Sequence, residues 1–247
     1  MSNPVLVRAT GETLNPETGV ATAAPITGAR MTMDDVIVKT GMLFVILIAG
    51  AFVGWSRPGL TFIALFVGLG LAFANIFKKE VSPALVLAYG AAEGVFLGGI
   101  SNWYATTYAD TAPDLVSQAV MGTFVAFGTM LFLYKSGIIK VNGKFKKIFM
   151  VAMVSYLVIA VASFVAGLLG MNNGWGFYGS SLGVLLCLAG VGLAAFSLVM
   201  DFELITQTIA AGAPEKESWR MAFGLMVTLV WLYLELLRLL AILQGRD

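Results

Sequence analysis

Seven long runs of apolar residues constrain this chain more than any motif in it. They cover residues 36–55, 60–77, 83–103, 115–134, 148–170, 180–200 and 221–243. A helix needs about 20 residues to cross a bilayer core roughly 30 Å thick, and each run meets that length. Backbone N–H and C=O groups cannot stay unpaired in lipid, so each run is expected to be a transmembrane helix. The runs are continuous rather than alternating, which excludes a membrane β-barrel. Hydrophobic residues at 59% and charged residues at 12% place the chain far from a soluble domain. The expected fold is therefore all-α: a polytopic integral membrane protein of seven helices. The Leu-rich last helix is expected near the centre, and Arg57-Pro58-Gly59 should make the first two spans a tight hairpin.

Residues 1–35 differ in kind. Pro4, Asn15-Pro16, Gly19, Pro25 and Gly28 punctuate a Thr/Ala-rich stretch without periodicity, which reads as a disordered or loosely ordered tail. The seven-helix domain is expected over residues 36–247. The first apolar core begins only after residue 35, too late for a signal peptide, so the first span is expected to stay as an anchor. Orientation follows from the lysines. Lys78 and Lys79 follow span two, and Lys135, Lys140, Lys144, Lys146 and Lys147 follow span four; the loop after span three carries Asp110 and Asp114 instead. The positive-inside rule then puts the N-terminus in the cytoplasm and the C-terminus outside, with Arg57 and Arg246 as exceptions on the outer side. The 135–147 loop could also meet anionic lipid or a partner, but topology alone explains it. Short loops without an organelle signal point to a bacterial plasma membrane.

Several chemistries are excluded or disfavoured. The chain has no histidine, which removes the commonest metal ligand and proton relay. Its one cysteine, Cys187, lies in an apolar run and reads as a small buried hydrophobe. No cofactor is expected and no nucleic-acid partner. Trp55, Trp103, Trp175 and Trp219 fall at span ends, where interfacial aromatics anchor; Trp231 is the interior exception. With the many Phe and Met residues, these read as packing, not as a cofactor box.

What remains is three acids inside apolar runs. Asp201 closes the sixth, Glu235 lies mid-way in the seventh within VWLYLELLRLL, and Glu93 lies in the third. An ionised acid at the centre of a span costs roughly 2.5–3.5 kcal/mol on insertion scales, so such residues usually line a pathway. Glu93 sits one position from a GxxxGxxxG stripe, Gly90-Gly94-Gly98, that lets a neighbouring helix approach closely. It should face the bundle interior, as a gating group or as a hydrogen bond to the next helix. Glu203, two positions from Asp201, points the other way and should lie at headgroup level.

The mid-membrane EG of span three, the SLVMDFELI block and the LYLELLRLL tail are similar to the Bax inhibitor-1 family, whose members are also called transmembrane Bax inhibitor motif proteins. The resemblance covers residues 36–243. It implies a pH-sensitive calcium leak channel in which two acids of the last two helices share a proton and set the gate. Asp201 matches the first acid and Glu235 the second, where Glu replaces the family's Asp and adds a methylene. Two carboxylates held close in low dielectric cannot both ionise cheaply and titrate as a pair. Deprotonated, Asp201 and Glu235 would also be hard ligands suited to transient Ca²⁺. The expected partners are the lipid bilayer, Ca²⁺ and H⁺, and other membrane proteins.

Hairpin geometry argues against a simple pairing. With a turn near residues 211–214, Asp201 lies about 15 Å and Glu235 about 30 Å from it, so contact needs a longer irregular connection over residues 210–219, a broken helix or a vertical offset. The competing arrangement pairs Glu235 with Arg238, three residues on and on the same helical face. Other functions fare worse. A retinal protein needs a lysine in the last span, and there is none. An enzyme is not expected, since no histidine-based dyad is possible and an aspartyl pair would want Asp at 235. A proton-coupled transporter would be favoured by an internal repeat, and none is evident. The alternative is a non-conducting regulatory protein that binds other membrane proteins, for which Asp201 and Glu235 matter only for packing.

Overall fold

The computed structural model describes residues 12–14, 21–23 and 29–245. Its helices are α1 (Met33–Ser56), α2 (Thr61–Phe77), α3 (Pro83–Thr107), α4 (Leu115–Lys135), α5 (Gly143–Leu168), α6 (Gly183–Ala210) and α7 (Ser218–Gln244). Among the described residues, seven helical segments are long and apolar enough to cross a membrane, matching the seven apolar runs. The chain is therefore an all-α integral membrane protein. Its only strands among those residues are a small antiparallel ribbon, β1 (Glu12–Leu14) with β2 (Ala21–Ala23).

Local chemistry sets most boundaries. Asp35 and Thr32 form a capping box: the Asp35 N–H donates to Thr32 Oγ1 at 3.2 Å, and the Thr32 N–H donates to Asp35 Oδ2 at 2.8 Å. That box starts α1 at Met33, one polar turn before the apolar run. Pro58 opens a 3-10 turn, Pro58–Leu60, that closes the expected hairpin between α1 and α2. The glycines of α1 and α3 interlock. A Cβ at Gly50 would lie 2.6 Å from the Ala91 carbonyl oxygen, and one at Gly54, Gly94 or Gly98 would overlap a carbonyl of the opposite helix. The Gly90-Gly94-Gly98 stripe is thus the face on which α1 lies against α3.

The last helix is central, as expected. In α7, 56% of the span is buried inside the protein, against 11% for α4 and α5. The apolar cores that it shares with α3, α4 and α6 run most of its length.

Successive helices alternate direction, so the 78–79, 135–142 and 211–217 connections and the start of α1 share one end, here called the lysine end. There Lys216 pairs with Glu80 at 3.5 Å and Arg220 donates to the Lys79 carbonyl at 2.8 Å. The boundary expected at residue 36 moves. Arg30 forms an antiparallel bridge with Pro214, the Met31 N–H donates to Ala213 O, and the Glu215 N–H donates to Ala29 O, both at 2.9 Å. Met31 is 2% exposed and packs with Val36, Ile205 and Met221. Residues 29–35 therefore belong to the bundle, tied down by a loop nearly two hundred positions away, a contact with no local signature. Apart from the ribbon, the rest of the 1–35 tail expectation lies outside the described residues.

Candidate functional site

The register of the α6–α7 hairpin decides where the acids go. Glycine at 190 marks one level: a Cβ there would lie 2.7 Å from Glu235 Cδ and Oε2 and would overlap the Tyr156 hydroxyl. Asp201 marks another, with the Thr228 hydroxyl as its hydrogen-bond neighbour. Thr228 precedes Glu235 by about two turns, or about 10 Å of helix, and Asp201 follows Gly190 by about 16 Å. The carboxylates of Asp201 and Glu235 are therefore not paired, and the shared-proton contact is corrected. The connection at 211–217 is short, with left-handed Gly212 (φ 71°) turning it, so the hairpin keeps the near-ideal register that separates the two levels. A joint Ca²⁺ site of Asp201 and Glu235 fails for the same reason. Among the described residues no group of three or more acid or cysteine side chains could hold a metal.

Glu235 instead takes the competing partner. Arg238 Nη1 donates to both its oxygens at 3.1 Å, as the spacing of three on one helix allows. Tyr156 of α5 donates to Glu235 Oε1 at 2.7 Å, and Trp231 Nε1 donates to the same oxygen at 3.1 Å. The carboxylate is 3% exposed, so this full set of donors is what makes its burial tolerable. Tyr156 shares a second hydrogen bond with Tyr178 at 2.9 Å, and the Arg238 guanidinium lies over the Tyr178 ring, 4.4 Å from its centre.

This cluster forms the floor of a cavity of about 740 Å³ at the end opposite the lysines. Trp103, Tyr104 and Trp175 form one wall, while Tyr156, Ser163 and Phe164 of α5 form another. The Arg238 side chain is 28% exposed, so the ion pair faces this space.

Asp201 is in a different position. No lysine or arginine pairs with it among the described residues: Lys39 goes to Glu215, Arg220 to Glu217, Arg238 to Glu235. Its Oδ2 is buried without a hydrogen-bond partner. Between the two acids, Ala194 and Leu198 of α6 pack with Leu229 and Leu232 of α7, an apolar layer across the centre of the bundle.

Glu93 joins neither acid. It is half-buried, with its Oε2 3.1 Å from where a Cβ on Gly68 of α2 would lie and with Tyr89 one turn before it. It faces the α2–α3 seam. Glu203 accepts from Tyr134 at 3.0 Å and from Gln207 at 2.5 Å near the lysine end, as its position two residues from Asp201 suggested.

Tyr156, Tyr178 and Gly190 were not singled out by the sequence, and Trp231 was read only as packing. A signal existed for two of them. Tyr156 places a hydroxyl deep in an otherwise apolar run, and Trp231 lies one turn before Glu235 on the same face. Nothing local marks Tyr178 or Gly190.

No curated protein is similar enough to the chain to count as a match. The family model described as Bax inhibitor 1 like matches residues 3–245. With nearly its whole length matched, and with the seven spans in place, this chain belongs to the Bax inhibitor 1 like family.

Proposed function

We propose that the protein is a pH-sensitive leak pathway for cations, calcium among them, gated by the carboxylates of α6 and α7. One observation carries this reading: an acid stands on each side of an apolar layer at the bundle centre, and a cavity leads from one end to the nearer acid. Each acid lies about 14 Å from its own helix end, Asp201 from Ala210 and Glu235 from Gln244. The Ala194, Leu198, Leu229 and Leu232 layer would block ions by excluding water, so the arrangement is that of a closed pathway. Glu235 is the sensor. While ionised it ties α5, through Tyr156, to α7 and holds Arg238 against the cavity floor. Protonation removes the charge that Arg238 answers, loosens the α5 tether, and lets the helices part across the apolar layer. Asp201 then acts as the second acidic station rather than as the other half of a dyad. By the lysine distribution the Asp201 end is cytoplasmic and the cavity opens outside, as in a bacterial plasma membrane.

Reconstitution in liposomes loaded with a calcium dye tests this. Calcium entry is expected to depend on pH, with the profile shifted in both Glu235→Gln and Asp201→Asn. Entry no greater than in empty liposomes, with the protein intact, would favour the regulatory, partner-binding reading instead.

A further inference from the structure

The cavity beside Arg238 changes character along its length. At the end opposite the lysines, Trp103, Tyr104, Trp175 and Arg238 line it. It runs on beside the ion pair toward the bundle centre, where the apolar side chains of Met153, Ala160 and Val227 take over. Val227 and Arg238 are eleven residues apart on α7, about 16 Å along the helix. That is close to the depth of one leaflet, half of a hydrocarbon core roughly 30 Å thick. The cavity also opens sideways. Trp103 of α3 and Leu157 and Phe164 of α5 line it, yet they are 46%, 60% and 65% exposed. In a bilayer those lips face lipid, so a hydrocarbon chain can enter from the membrane without crossing water.

Charge at the mouth is one-sided. Glu235 and Arg238 are the charged residues of the lining among those described. The Glu235 side chain is 4% exposed and its oxygens are taken by Arg238, Tyr156 and Trp231, while the Arg238 side chain is 28% exposed. The charge that the cavity meets is therefore the guanidinium. Only its Nη1 goes to Glu235, and arginine carries five N–H donors in a planar fork. Even with Tyr104 within reach of one more, donors remain for an anion. Trp103 meets Trp175 and Tyr104 through its ring, with centroids 6.3 and 4.9 Å apart. No hydrogen bond among the described residues takes the indole N–H of Trp103 or Trp175. Aromatic side chains of this kind sit at the headgroup level, which is where a lipid phosphate lies.

We propose that the cavity holds one acyl chain of an anionic phospholipid, drawn sideways from the leaflet at the end opposite the lysines, with its phosphate on Arg238. The second chain stays outside, between the lips of α3 and α5. An acyl chain gains little by moving from lipid into an apolar cavity, because lipid tails are as apolar as leucine. Selection therefore rests on the headgroup. The guanidinium fork suits phosphate, and the ammonium group of a zwitterionic headgroup would bring a second cation toward Arg238. Under the conduction reading the bound chain would occlude the outer path, a consequence that rests on that reading; the binding itself does not.

Quenching of tryptophan fluorescence by brominated lipid tests the proposal, since Trp103, Trp175 and Trp231 line the cavity. The full chain is placed in phosphatidylcholine nanodiscs with rising mole fractions of phosphatidylglycerol, phosphatidylcholine or a free fatty acid, each brominated on its acyl chain. Phosphatidylglycerol is expected to quench saturably, at a several-fold lower mole fraction than either of the others. Two variants should bring its curve onto that of phosphatidylcholine. Ala160→Phe fills the apolar stretch, and Glu235→Gln/Arg238→Gln removes the guanidinium without leaving a charge unanswered. Should the variants fold poorly, native mass spectrometry of the wild type gives the same answer: released from nanodiscs of equal phosphatidylglycerol and phosphatidylcholine, it should retain one phosphatidylglycerol. Equal quenching by the two phospholipids would overturn the site, as expected of ordinary boundary lipid. Stronger quenching by the fatty acid would overturn the phospholipid as occupant. A preference that survives in both variants would overturn the location. None of these readouts depends on calcium flux, so failure of the lipid site and failure of the conduction reading can be told apart.

Discussion

At the scale of single residues, Glu235 and Arg238 depend on each other. Each is tolerable inside the bundle because the other is there, with Tyr156 and Trp231 supplying the remaining donors. Removing one member of a fully buried pair costs about 3–5 kcal/mol; exposure of Arg238 to the cavity should reduce that to about 2 kcal/mol for Glu235→Gln. The double variant Glu235→Gln/Arg238→Gln should recover part of the loss, because it leaves no unanswered charge. Thermal unfolding of the four proteins in detergent checks this. A double variant as unstable as the sum of the singles would show that the two charges are independent.

At the scale of helices, two contacts set the architecture, and both run through glycine. Gly50 and Gly54 of α1 and Gly94 and Gly98 of α3 let backbone meet backbone, with no room for a side chain. Gly94→Leu would place its branch against the Leu47 carbonyl and is expected to prevent folded protein from accumulating. Gly70 of α2 has open space around its Cβ position, so Gly70→Leu serves as the control and should behave as the wild type on gel filtration. Equal yields of the two would mean that α1 and α3 can separate without cost. The second contact, at Gly190, brings α6 close enough to α7 for Glu235 and Tyr156 to meet across it.

At the scale of the molecule, charge is divided between the ends. Lysines cluster with the 211–217 connection and the docked residues 29–32, while the cavity, the Trp103–Trp175 wall and Asp110 lie at the other end. In a background with buried Cys187 replaced by Ala, Asp110→Cys should react with a membrane-impermeant maleimide on intact cells, and Lys140→Cys should not. The reverse pattern would invert the proposed orientation and put the cavity in the cytoplasm.

Much of this was legible beforehand. Span number, helical class, the α1–α2 turn and the glycine stripe follow from composition and spacing, because lipid leaves a backbone few choices. The three acids could be picked out because charge in an apolar run is costly anywhere along it. Their partners could not. Whether Asp201 meets Glu235 or Thr228 depends on the vertical offset of two helices, and that offset is set by how Gly190, Leu198 and Leu229 pack and by the turn at Gly212. The docking of Met31 depends likewise on contacts between distant segments. The sequence alone determined that this is a seven-span membrane protein with acids in its interior; only the tertiary structure decided that those acids stand apart, since periodicity orients a residue around its own helix but says nothing of its height on the next.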